Sequence, residues 1–147
     1  MIRISTKGRY GTRLMVNLAR RYGSPKEAAV LKDISDEEGI SIRYLEQIII
    51  PLKVNRLVKS TRGTGGGYTL ARNPRSIKLS EILKAMEGNC CLVECLEDES
   101  FCDRLPQCPT YPVWKRANNI LRTFFDSVSL QDIVDDAPKK APNRKAR

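Results

Sequence analysis

A chain of 147 residues, 41% of them apolar and 29% charged, has material for one packed core and an appendage but not for two full-sized domains, and its balance excludes wholesale disorder. Arg3, Lys7, Arg9, Arg13 and Arg20 interrupt any apolar run that would read as a signal peptide, and no later stretch reads as a membrane span, so a cytoplasmic protein is expected. The net charge of +9 is unevenly placed: residues 1–75 hold 15 Lys or Arg against 6 acids, whereas bases and acids balance over the remainder. A basic patch is the footprint of nucleic acid, because each neutralised phosphate releases condensed counterions; a merely solvated basic surface is the alternative on charge alone.

In chain order, Tyr10, Leu14, Ala19 and Tyr22 fall near one helical face, with Leu18 beside them, and Gly23-Ser24-Pro25 stops the pattern. A first helix over roughly Thr6 to Tyr22 is predicted. Residues 29–38 form a short helical pattern closed by Gly39, and Ser41 is a good N-cap for a third helix. This is helix-turn-helix spacing, in which the second helix enters the major groove by its N-terminal residues, here Ser41, Arg43, Tyr44, Glu46 and Gln47; Leu45, Ile48, Ile49 and Leu52 become core. Residues 57–60 and 68–71 have strand character around a glycine-rich loop and read as a hairpin, the wing. Next come a short strand over Ile77-Lys78-Leu79 and a helix capped by Ser80, carrying Ile82, Leu83 and Met86 and ending at Gly88. From Asn89 to Pro109 a cysteine-bearing loop is expected. It is followed by a long helix with Val113, Trp114, Ala117, Ile120, Leu121, Phe124, Phe125 and Val128 at helical spacing. So wide an apolar stripe calls for a partner surface, a second copy in preference to the chain's own domain. Residues 137–147, rich in Pro, Lys and Arg, are expected to be a disordered basic tail. The organisation is thus a DNA-binding region over 1–75, a helix, cysteine loop and dimerisation helix over 76–136, and the tail. The fold class is mainly α with a small β wing.

Gly63-Thr64-Gly65-Gly66-Gly67 resembles phosphate-cradling loops only superficially. A P-loop needs Lys and Ser or Thr where Tyr68 follows, and the dinucleotide fingerprint needs a glycine at Tyr68 and a helix where a strand follows. As a wing tip the glycines permit positive φ and close approach to a sugar-phosphate wall, and Arg62 at the hairpin's edge can enter the minor groove. The five cysteines, Cys90, Cys91, Cys95, Cys102 and Cys108, are an odd number, against a simple disulfide framework. Cys95, Cys102 and Cys108 share one loop that could fold round zinc or an iron-sulfur cluster, although cysteines are also common as small buried hydrophobes. The chain has no histidine and no nucleophile-base constellation, so an enzyme is not expected.

Residues 4–10 (Ile-Ser-Thr-Lys-Gly-Arg-Tyr), 40–47 (Ile-Ser-Ile-Arg-Tyr-Leu-Glu-Gln) and 62–68 (Arg-Gly-Thr-Gly-Gly-Gly-Tyr), taken in order, resemble the IscR branch of the Rrf2 family of bacterial transcription regulators, from Met1 to about Val134. The resemblance implies a winged-helix homodimer joined by the long helix from about Thr110 to Val128, binding operator DNA. It implies a DNA-facing set of Ser5, Lys7, Arg9, Ser41, Arg43, Tyr44, Glu46, Gln47, Ser60, Arg62, Gly63 and Gly65, with Glu46 discriminating between operator classes. It further implies an iron-sulfur cluster, 2Fe-2S in preference to 4Fe-4S, on Cys95, Cys102 and Cys108. The family's histidine ligand falls at Tyr111, and the carboxylate used by a nitric-oxide-sensing branch falls at Arg9. The candidates for a fourth ligand are therefore Tyr111, Cys90 or Cys91, a carboxylate among Glu94, Glu97, Asp98, Glu99 and Asp103, or a small exogenous ligand. A regulator of the same fold working as a thiol switch, and an interaction module without DNA binding, are the alternatives.

Overall fold

In a computed structural model that describes residues 3–89 and 91–138, the first predicted helix forms as α1 (Thr6–Arg21). Cys90 and the tail from residue 139 onward lie outside the described residues. The Ser5 side chain caps α1 by accepting from the Gly8 amide at 3.1 Å. Two glycines in a helix interior each cost about 1 kcal/mol relative to alanine, so their presence needs a reason. Packing supplies it. A Cβ on Gly11 would stand 2.5 Å from Met86 Sδ, and one on Gly8 would stand 2.3 Å from Glu87 Oε1. The helix that carries Met86 and Glu87, α4 (Leu79–Glu87), crosses α1 at these two residues.

Between them lie α2 (Leu31–Glu38) and α3 (Ile42–Val54). Gly39 makes the turn at φ 64°, and Ser41 caps α3 by accepting from the Tyr44 amide at 3.3 Å. Buried Asn17 of α1 donates to Glu37 at 2.8 Å and to Glu38 at 2.9 Å, tying α2 to α1. At the end of α3 the Arg56 amide donates to the Lys53 carbonyl and the Leu57 amide to the Leu52 carbonyl, both at 2.9 Å, with Arg56 left-handed at φ 56°. That pair of hydrogen bonds is a Schellman stop, and buried Leu57 and Leu52 are its apolar pair. It turns the chain directly into β1 (Val58–Thr61), which pairs antiparallel with β2 (Gly67–Leu70), Val58 opposite Leu70 and Thr61 opposite Gly67. The wing's base is fastened by reciprocal amide-carbonyl bonds between Ala29 and Tyr68 at 3.0 and 2.8 Å.

Three expectations after the wing are corrected. Ile77-Lys78-Leu79 is no strand; Lys78 alone makes an isolated bridge, to Ser129. Ser80 is not a cap, because Lys78 is the N-cap and its amide donates to Glu81 at 2.9 Å, so the helix starts at Leu79. After the long helix α5 (Tyr111–Ser127), a further helix, α6 (Leu130–Asp136), follows. Its fully buried Leu130 joins Leu14, Met15, Leu18, Ile34, Leu45, Ile48, Leu52, Leu57, Leu70, Ile77, Ile82 and Met86 in one cluster. The division at residue 75 therefore does not divide the core.

Candidate nucleic-acid interface and cysteine loop

Seven cations of the first half fall into two contrasting groups. Arg13 is paired with Glu38, Arg21 with Glu37 and Arg72 with Glu81, so these three brace the scaffold. Arg43 on α3, Arg56 at its stop, Lys59 on β1 and Arg62 at the wing are exposed and make no side-chain hydrogen bond or ion pair with any described residue. Glu46 and Gln47 are likewise exposed and unengaged. At 3.6 residues per turn, Arg43 and Gln47 stand about opposite the buried Leu45, Ile48, Ile49 and Leu52, so α3 turns its polar N-terminal half outward.

Several other residues of the expected DNA-facing set have structural work. The hydroxyls of Ser5 and Ser41 are N-caps, and the Tyr44 ring is half-buried, edge-on to Tyr10 at 5.6 Å. Arg9 donates to Thr6 Oγ1 at 3.2 Å, Lys7 is half-buried, and Ser60 is exposed on β1. Gly63 and Gly65 have φ of 95° and 78°, a conformation that favours glycine, and the Gly66 amide closes the turn onto the Gly63 carbonyl at 2.9 Å.

Glu87 is a residue that the sequence reading missed. Its carboxylate accepts from the Ser5 amide at 3.1 Å and from the Ser5 hydroxyl at 2.5 Å, joining the start of α1 to the last residue of α4. Gly88 and Asn89 then lead into the cysteine loop. The glycines at positions 8 and 11 mark a close approach to α1, but nothing in the sequence says which element makes it.

The loop folds as three single turns of 3-10 helix, Glu94–Leu96, Glu99–Phe101 and Leu105–Gln107. Cys91, Cys95, Cys102 and Cys108 are half-buried free thiols. Asn118 of α5 anchors the loop's start by accepting from the Leu92 amide at 3.2 Å. Cys108 lies 3.3 Å from the Thr110 hydroxyl, and that hydrogen bond, followed by the backbone amides of Thr110 and Tyr111, lowers the thiol's pKa. Tyr111 donates its hydroxyl to Glu99 Oε1 at 3.2 Å; burial first, then this bond and the nearby Glu99 and Cys95 charges, pushes its ionisation up. The donor set is chemically suited to a soft metal centre. Among the described residues, however, no three Cys, Asp or Glu side chains converge closely enough to hold a metal ion.

A helix-turn-helix with a two-stranded wing, and a row of unpaired cations along both, define a winged-helix DNA-binding regulator. The profile of the family described as "Rrf2: Iron-dependent Transcriptional regulator" matches residues 4–136. The HTH-type transcriptional regulator CymR of Bacillus subtilis is 38% identical over 133 residues, covering 90% of each chain. Its solved structure, titled as that of the global cysteine regulator of B. subtilis, superposes with a TM-score of 0.77 at 36% identity, over 94% of this chain and all of that one. The structure of T. potens IscR gives 0.75 at 36% identity, over 96% of this chain and 93% of that one. The chain belongs to the Rrf2 family, a DNA-binding transcriptional regulator and not an enzyme. No helix among the described residues is long and apolar enough to cross a membrane.

Proposed function

We propose that this regulator acts as a cytoplasmic homodimer with α3 in the major groove, Arg62 in the minor groove, and Cys95, Cys102 and Cys108 as ligands of an iron-sulfur centre that sets operator choice. Residues 1–75 read DNA, and residues 76–136 sense and dimerise. The observation that carries the DNA half is the separation of braced from unengaged cations, since Arg43 and Arg62 have no internal partner to give up. For the dimer, the support is α5. Val113, Ala117, Ile120 and Phe124 follow the 4-3-4 spacing of a coiled-coil seam, and Val113, Ile120 and Phe124 remain 59%, 63% and 56% exposed. A second copy covers that seam.

When bound, the centre, 2Fe-2S in preference to 4Fe-4S, would supply a redox-labile state whose loss is sensed. The cluster reading rests on the donor set and not on a preformed cage. Tyr111 and Glu99 are engaged with one another, so either would have to give up that bond to serve as the fourth ligand. Protein purified anaerobically should be coloured and contain iron and sulfide, and should lose both in Cys102→Ser; colourless, iron-free protein after reconstitution defeats the cluster reading. On the DNA side, Arg62→Ala should weaken operator binding in a gel shift, and an unchanged shift rules out the wing's role. The Cys108 thiol, its pKa lowered by Thr110, favours a second reading: peroxide takes two electrons and two protons from a thiol pair, leaving a disulfide and water. A mass loss of two hydrogens per disulfide after peroxide, accompanied by altered DNA affinity, would establish it.

A further inference from the structure

Isoleucine at position 50 is out of place on a water-soluble helix. It is 62% exposed, and Val54, one turn on, is 75% exposed. Helical geometry at 3.6 residues per turn puts Arg43, Gln47, Ile50 and Val54 in one stripe about 60° wide, diametrically opposite the buried stripe of Leu45, Ile48, Ile49 and Leu52. Neither apolar side chain therefore serves the chain's own core. Both continue the line of unengaged polar residues that begins at Arg43. One exposed apolar side chain is ordinary on a protein surface, but two of them a turn apart, on the face shared with Arg43 and Gln47, form a small apolar patch.

We infer that Ile50 is a specificity-determining residue that reads the 5-methyl group of a thymine in the major groove. The inference rests on the proposal that this face of α3 lies against DNA. An apolar side chain there has one apolar target on a base edge, the thymine methyl, which distinguishes thymine from every other base. Ile50 lies seven residues beyond Arg43, about 10 Å along the helix axis, or about three base pairs from the base that Arg43 approaches. The polar N-terminal half of α3 and its apolar C-terminal half then read two separated positions of one half-site.

The test uses the full chain and operators selected from a random duplex pool, with affinities measured at one fixed salt concentration. Each thymine of the selected site is replaced singly by deoxyuridine, which removes only the methyl group. One thymine per half-site should weaken wild-type binding about fourfold on replacement, the worth of one buried methyl. That sensitivity should vanish in Ile50→Ser and persist in Ile50→Val. Because position 50 is exposed, both variants should unfold at the wild-type temperature. A flat deoxyuridine scan, or the same sensitivity in Ile50→Ser as in wild type, overturns the inference. Arg43→Ala keeps the two readings apart. If it weakens binding while the scan is flat, only the role of Ile50 fails; if it binds as wild type does, the docking of α3 fails and takes the inference with it.

Discussion

Helices α1 and α5 are nearly equal in length, 16 and 17 residues, and both are amphipathic in sequence, yet they meet opposite fates. The first buries Gly8, Gly11, Leu14, Met15, Asn17, Leu18 and Ala19, with α4 and α6 packed against it. The second buries a single residue, Asn118, and that one is polar. A hydrophobic stripe states that a face must be covered and not by what. For α1 the cover is the chain itself. The seam of α5 is left exposed by the chain itself; the helix is held at its middle, where Asn118 accepts from Leu92 of the loop, and the chain that leaves it is tied back by the Lys78–Ser129 bridge before α6.

Paired substitutions should break this contrast most visibly. Leu14→Ala removes a fully buried side chain from the common core and should cost about 2–5 kcal/mol, read as a lowered midpoint in chemical denaturation. Glutamate at both Ile120 and Phe124 should leave the protomer's far-ultraviolet spectrum intact while halving the mass seen by light scattering. Operator affinity should fall with it, since two half-sites are then bound separately. If the double variant remains a dimer, α5 is not the interface.

A smaller effect is expected where α5 hands the chain back to the core. Ser129 caps α6 by accepting from the Asp132 amide at 3.1 Å, and the Asp132 carboxylate accepts in return from the Ser129 hydroxyl at 2.6 Å and amide at 2.8 Å. Ser129→Ala should cost about 1 kcal/mol near neutral pH, as loss of an N-cap does. The bonds from Ser129 lower the Asp132 pKa, so their contribution is present above the unfolded value of about 3.9 and is lost as pH falls through the lower folded value. The gap between wild type and Ser129→Ala should therefore narrow on acidification below about pH 4, measured by thermal unfolding across pH.

How much of this could be read beforehand divides along the same line. Gly39, Ser41 and the strand-character segments on either side of the glycine-rich loop are local signals, and α2, α3 and the wing formed where they indicated. Nonlocal placement was harder. Helix α6 carries its own start signal, Ser129 with Asp132 three residues on, but that signal was hidden behind an apolar stripe running through Val128. Glu87 could not be identified because its partner Ser5 is 82 residues distant. Ser41 and Tyr44 read as DNA-facing by position alone, whereas their side chains are partly engaged in capping and in packing on Tyr10. The three cysteines were visible as a set, but no three donors among the described residues converge closely enough to hold a metal ion.

The smallest expected effect concerns Arg56, the one residue other than glycine with positive φ among the described residues. A left-handed conformation costs an L-residue about 1–2 kcal/mol, and the Schellman stop at this site would accept glycine without that strain. Glycine also gains freedom in the unfolded chain, so Arg56→Gly should stabilise the protein by only about 0.5 kcal/mol net. The arginine stands between the recognition helix and the wing, exposed and unpaired, so its charge is available to a phosphate where the two elements diverge. Stability and binding should then move in opposite directions. Arg56→Gly should raise the unfolding temperature while reducing the slope of log affinity against log salt by about 1. A variant that gains stability with an unchanged salt slope would make Arg56 a mere tolerated strain, and confine the DNA contacts at this corner to Arg43, Lys59 and Arg62.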